Sequence, residues 1–101
     1  MALVTSKEML TKARKGGYAV GAFNAENMEM VKAIIAAAEE LKAPVMIQTT
    51  PSTVKYGTSA TYAAIVKAEA EKASVPVCMH LDHGSSYELA EECIENGYTS
   101  V

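Results

Sequence analysis

Apolar residues along this chain follow two spacings, short unbroken runs and stripes that recur every three or four positions, and the changes between them mark the predicted elements. Val31, Ile34, Ile35, Ala38 and Leu41 recur at helical spacing and predict a helix over about 27–42 with that stripe buried. Pro44 blocks its continuation, and the run Val45–Thr49 predicts a strand. Thr50–Gly57 reads as a loop, followed by a helix over about 59–73 that turns Tyr62, Ile65, Val66 and Ala73 inward. Val75–Leu81 is apolar and rich in β-branched residues, the signature of a strand covered on both faces, as in a parallel sheet. Ser85-x-x-Glu88 has capping-box spacing and predicts a helix over about 86–96, with Ala90, Cys93 and Ile94 as its inner stripe.

The earlier part of the chain obeys the same signals. Thr5-x-x-Glu8 is a second capping box and opens a short helix that ends near Gly16-Gly17, with Met9, Leu10 and Ala13 on its apolar side. Arg14 and Lys15 in its last turn suit the helix dipole as a solvated end. Tyr18–Phe23 predicts a first strand, and Tyr98–Val101, after the Asn96-Gly97 stop, predicts the beginning of a fourth. The order is helix, then strand–helix three times, then a strand start. That alternation implies α/β architecture, with parallel strands joined by right-handed crossovers. No linker or low-complexity stretch divides it, so residues 1–101 are expected to form one domain segment. The last run has no closing helix, and the expectation is that these residues are the first part of a longer protein.

Composition narrows the function classes. Half of the 101 residues are apolar and the net charge is −3, which fits a packed core and argues against a nucleic-acid or anionic-membrane partner. No apolar run approaches membrane-spanning length, and no basic start leads into an apolar core as in a signal peptide. Cys78 and Cys93 fall in a predicted strand and a predicted helix. They read as buried thiols of a reducing cytoplasm, not as a disulfide framework.

Candidate chemistry gathers where the strands end. Asn24, Thr50 and Asp82-His83 each follow a predicted strand, and the carboxyl ends of parallel strands share the edge where α/β folds bind ligands. A carboxylate at the end of an apolar strand is costly without a partner, and imidazole is the commonest nitrogen ligand and general base. The plainer reading makes Asp82 a helix cap and His83 a solvated loop residue, and Asn24 and Thr50 have residue types that turns favour anyway. Strand alternation sends His80 and Asp82 to one face and His83 to the other unless the strand has ended, so His80 reads as a structural histidine. Lys55 reads as a solvated loop lysine. The spacing Cys78-x-His80-x-Asp82-His83 also approaches the two-metal motif of metallo-β-lactamase-like hydrolases, with Cys in place of the first His.

Three segments carry a broader resemblance: Gly-Tyr-Ala-Val-Gly-Ala-Phe-Asn (17–24), Ala-Pro-Val-Met-Ile-Gln (43–48) and Val-Pro-Val-Cys-Met-His-Leu-Asp-His-Gly (75–84). Together the chain resembles the N-terminal part of the class II, metal-dependent ketose-bisphosphate aldolases. The resemblance implies the N-terminal portion of a (β/α)8 TIM barrel: a leading short helix, three βα units and the start of a fourth strand. It implies reversible aldol cleavage of fructose or tagatose 1,6-bisphosphate to dihydroxyacetone phosphate and glyceraldehyde 3-phosphate. His83 matches the first zinc ligand, Asp82 the acid/base residue, and Asn24 and Thr50 positions that line the substrate pocket; His80 matches no ligand. Cleaving the C3–C4 bond leaves an enediolate, whose charge a divalent ion can hold as a Lewis acid, so no Schiff-base lysine is needed. The resemblance further implies Zn2+, a monovalent cation in the full-length family, and a homo-oligomer. A catalytic zinc takes about three protein ligands. One is legible here, so the isolated chain is expected to bind zinc weakly and to be inactive. The contrasting expectation is a non-enzymatic half-barrel that pairs with itself or another chain, the unpaired edge of its fourth strand favouring association.

Overall fold

A computed structural model describes residues 2–101. Helix α1 (Ser6–Gly16) leads into strand β1 (Ala22–Asn24), helix α2 (Met28–Leu41) and strand β2 (Val45–Thr49). Helices α3 (Pro51–Gly57) and α4 (Ser59–Lys72), strand β3 (Val77–Leu81) and helix α5 (Tyr87–Glu95) follow. Side-chain caps start most of the helices: Thr5 accepts from Glu8 N, Asn27 from Met30 N, Thr58 from Thr61 N and Ser86 from Leu89 N. Each cap satisfies one backbone donor that the first turn leaves free. The α5 cap is Ser86, one residue later than the capping box at Ser85 predicts, because Asp82–Ser85 are spent on the turn that leaves β3.

The three strands form a parallel sheet in the order β1-β2-β3. Asn24 pairs with Gln48, and Gln48 with His80. One further parallel bridge joins His80 to Ser100, supported by Thr99 N donating to Met79 O and Leu81 N donating to Ser100 O, each at 3.0 Å. The predicted fourth strand is thus present as its first bridge.

Both faces of β2 and β3 are covered, as their unbroken apolar runs require. Val45, Ile47, Val77, Met79 and Leu81 pack with Val31, Ile35 and Ala38 of α2 and Val66 and Ala70 of α4. On the opposite face Met46 and Cys78 pack on Met9 of α1, with Val4 and Val20 beside them. Alternation places Gln48 and His80 on that second face, one step nearer the carboxyl ends. The sheet therefore has an apolar floor and a polar level above it.

Four local expectations are corrected. Thr50–Gly57 is not a loop from end to end: Pro51 opens a helix there, since its fixed φ and missing N–H suit a first turn. Only Ala22–Asn24 of the predicted first strand pairs, because Tyr18 N is used to close α1 on Ala13 O. Leu41 is 75% exposed and Ile34 only partly buried, although both lie on the predicted stripe of α2. They line an apolar groove of about 610 Å³ with Tyr18, Phe23 and Pro44, along the unpaired side of β1. Ile94 is likewise 54% exposed, so α5 reaches the core through Cys93, with Leu89 packed beside it and Ala90 half-buried.

Candidate active site

The polar level comes together at the carboxyl rim of the sheet. Asn24 is the last residue of β1, Gln48 the next to last of β2, and Asp82 follows β3 directly. The Asp82 backbone N–H donates to Thr49 O at 2.9 Å, which holds the chain against β2 one residue past the strand. The Asp82 side chain is about one-third exposed, and its Oδ2 accepts from Gln48 Nε2 at 3.2 Å. The same Gln48 nitrogen donates to Asn24 Oδ1 at 2.9 Å. His80 Nε2 lies 3.9 Å from Asp82 Oδ1 and His83 Nε2 3.6 Å from Asp82 Oδ2, so the carboxylate stands between two imidazoles.

The two histidines differ in how they are held. His80 is a strand residue, mostly covered, and its Nδ1 bonds Ser100 Oγ at 2.7 Å. Its bond runs to a side chain of the next strand start, as suits a structural histidine. His83 sits at φ 55°, in the left-handed region, with its side chain 81% exposed. A non-glycine residue held there costs roughly 1–2 kcal/mol. The strand has ended by then, and this turn returns the imidazole to Asp82 where regular alternation would send it away.

Thr50 is the residue before α3; its carbonyl accepts from Val54 N at 3.0 Å, while its side chain caps no backbone N–H. Its Oγ1 bonds Ser52 Oγ and Thr53 Oγ1, each at 3.1 Å. Buried Thr53 donates to the Glu26 carboxylate at 2.8 and 2.9 Å, and Tyr62 OH donates to Glu26 O at 2.9 Å. The structure thus brings Asn24, Asp82 and His83 into one connected group, while Thr50 belongs to a neighbouring network that ties the first two strand-to-helix connections together. Lys55 lies exposed in the last turn of α3.

Residues 4–101 match the family model described as fructose-bisphosphate aldolase class-II. This chain belongs to that family. It is 52% identical over 99 residues to fructose-bisphosphate aldolase of Thermus caldophilus, an alignment that takes in 98% of this chain and 32% of the relative. Against fructose-bisphosphate aldolase of Geobacillus stearothermophilus it is 47% identical over 104 residues, covering all of this chain and 36% of the relative. The crystal structure of the YdjI aldolase from Escherichia coli K12 superposes with a TM-score of 0.87 at 33% identity, over 95% of this chain and 37% of that one. The class-II aldolase chain described here thus spans about a third of the length of the curated relatives it matches. Its three parallel strands and their helices correspond to the N-terminal portion of the TIM barrel of these aldolases. That likeness, and a sheet that opens on parallel strands, removes the metallo-β-lactamase-like alternative.

The donor set of the aldolase segment fits one metal ligand, not a complete site. Among the described residues no group of three His, Cys, Asp or Glu side chains is placed to hold an ion. His83 is 81% exposed, whereas His80 is mostly covered and its Nε2 lies 3.9 Å from Asp82 Oδ1, so His83 is the more open imidazole at this rim. The thiols are not candidates: Cys78 and Cys93 are buried and unpaired. Burial raises both, Cys93 to about 11, where the thiolate a metal needs is disfavoured.

Gln48, Ser100 and Glu26 were not singled out from sequence. Gln48 had a signal, since a polar residue two places after Met46 in an apolar run must share its face. Ser100 and Glu26 had none, because their partners lie 20 and 27 residues away.

Proposed function

We propose that these residues serve a metal-dependent aldolase that reversibly cleaves a ketose 1,6-bisphosphate, fructose or tagatose, to dihydroxyacetone phosphate and glyceraldehyde 3-phosphate. The observation that carries the reading is the placing of Asp82 beside an exposed imidazole at the carboxyl rim of a parallel sheet. In an α/β barrel that rim bears the reacting groups. Residues 1–101 then form the N-terminal segment of one barrel domain.

Asp82 acts as the base that takes the proton from the substrate C4 hydroxyl in cleavage and returns it in condensation. Its partial exposure leaves Oδ1 free of any hydrogen bond among the described residues, the geometry a general base needs toward substrate. His83 supplies one zinc ligand, and other parts of the enzyme complete the set. The zinc supplies Lewis-acid stabilisation of the charge released at C3. Asn24 and Thr50 line the substrate pocket, the amide from β1 and the hydroxyl from the start of α3. A monovalent cation, a homo-oligomeric assembly and a place in cytoplasmic glycolysis complete the proposal; the buried free thiols support a reducing compartment.

The test compares the complete aldolase polypeptide with the 101-residue chain, assaying turnover of both bisphosphates with and without chelator. The expected result is chelator-sensitive turnover in the complete polypeptide and none in the isolated chain. Asp82→Ala should lower turnover by orders of magnitude and keep zinc, whereas His83→Ala should lose both. Near-normal turnover in Asp82→Ala would falsify the base assignment. A second reading, self-association of this chain alone, draws on the outer edge of β1, which pairs with β2 on its other side, and on the groove beside it; its discriminator is mass in solution.

A further inference from the structure

Asn24, Gln48, His80 and Ser100 are successive partners across neighbouring strands and occupy one level of the sheet. The level below them, Ala22, Met46 and Cys78, is apolar. Gln48 stands in the middle of the polar level between buried Ile47 and Thr49 of its own strand. Its amide nitrogen faces Asn24 Oδ1 on one side and Asp82 Oδ2 on the other.

The direction of these bonds follows from chemistry. An ionised carboxylate only accepts, so the nitrogen of the Gln48 amide, not its oxygen, must face Asp82. Its two hydrogens are then both committed, one to each partner. Asn24 is oriented in turn: its oxygen receives a Gln48 hydrogen, which leaves its own NH2 for the rim. His80 at 3.9 Å and His83 at 3.6 Å are both beyond hydrogen-bonding range, so among the described residues Gln48 is the side chain that hydrogen-bonds the Asp82 carboxylate.

We propose that Gln48 is a positioning residue: it fixes the rotamer of Asp82 and, through the same amide, turns the NH2 of Asn24 toward an oxygen-rich substrate. The proposal rests on the reading of Asp82 as the base. Misplacing a base by a fraction of an ångström lowers the rate of the proton-transfer step more than it weakens ground-state binding.

The test uses Gln48→Met, which keeps length and removes both donors, and Gln48→Glu, which keeps shape and presents only acceptors. In the complete aldolase polypeptide each should lower kcat by about tenfold or more, with a smaller rise in KM from the misturned Asn24 amide and zinc content unchanged. The double variant Gln48→Met/Asp82→Ala should be no slower than Asp82→Ala alone, because two groups acting as one unit are not additive. In the 101-residue chain, Asp82→Ala and Asn24→Ala should each shift the Gln48 side-chain amide resonances in an NMR spectrum. Full turnover in Gln48→Met beside a dead Asp82→Ala overturns the role of Gln48 and leaves the base reading intact. Near-normal turnover in Asp82→Ala overturns the base reading itself. A raised KM at unchanged kcat, additive losses in the double variant, or unmoved Gln48 amide signals each overturn the positioning role.

Discussion

Tyr98 joins the start of the fourth strand to the core through one buried hydrogen bond, and removing its hydroxyl gives a sharp test of the packing. Tyr98 is 4% exposed and Thr49 1% exposed, and their hydroxyls are 2.7 Å apart. Tyr98→Phe leaves the ring in place and strips Thr49 Oγ1 of the partner it has there. A made bond contributes about 1 kcal/mol net, but a buried hydroxyl left unsatisfied costs about 1–3 kcal/mol. The expected loss is therefore about 1–3 kcal/mol, read as a lower urea midpoint at unchanged slope. Thr49→Val should lose a similar amount from the other side. The double variant should lose less than the two singles together, since no orphaned hydroxyl remains. Burial also pushes the Tyr98 phenol from 10.0 up to about 12, partly opposed by the Thr49 bond. The folded state therefore holds a proton that the unfolded state releases at lower pH. The contribution of Tyr98 to stability is full below pH 10.0 and falls as pH rises toward about 12. Ultraviolet titration should show a tyrosine ionising near pH 12 that Tyr98→Phe removes, beside Tyr62, whose phenol burial also raises. Single variants each within about 0.5 kcal/mol of the parent would refute the argument, because the hydroxyls would then have found water.

Two further outcomes follow from single contacts. Glu39 accepts from Ser74 N, Ser74 Oγ and Val75 N at the turn into β3, and the Ser74 bonds above all hold its carboxyl below 4.5. A depressed carboxyl contributes stability that is present above the unfolded value and lost as pH falls through the folded one. The urea midpoint of the parent should thus drop on acidification below pH 4.5, and Glu39→Gln should flatten that limb; an unchanged limb counts against the contact. Cys78 and Cys93 are both fully buried. A thiol reagent at pH 8 should label neither until urea unfolds the chain, and rapid labelling in native buffer would show that α5 opens on its own.

The aldolase segment divides cleanly between what its residues declare and what its folding arranges. Element order, the parallel alternation and the doubly covered strand at 77–81 were legible because they depend on local periodicity and caps. Pro51 misled as a loop marker since the same residue stops one helix and starts another. Leu41 and Ile94 misled because a stripe reports that a helix has an apolar side, not that a neighbour covers it. At the rim, the placement of Asn24, Asp82 and His83 near strand ends could be read along the chain, and the motif 80–84 carried the family. Strand pairing decided that Gln48 spans Asn24 and Asp82 and that Ser100 occupies the His80 ring, and the turn after β3 decided that His83 returns at positive φ. Those contacts join residues 20 to 34 positions apart. Their register is set by burying the apolar floor of the sheet, a property of the assembled strands that no single stretch of sequence contains.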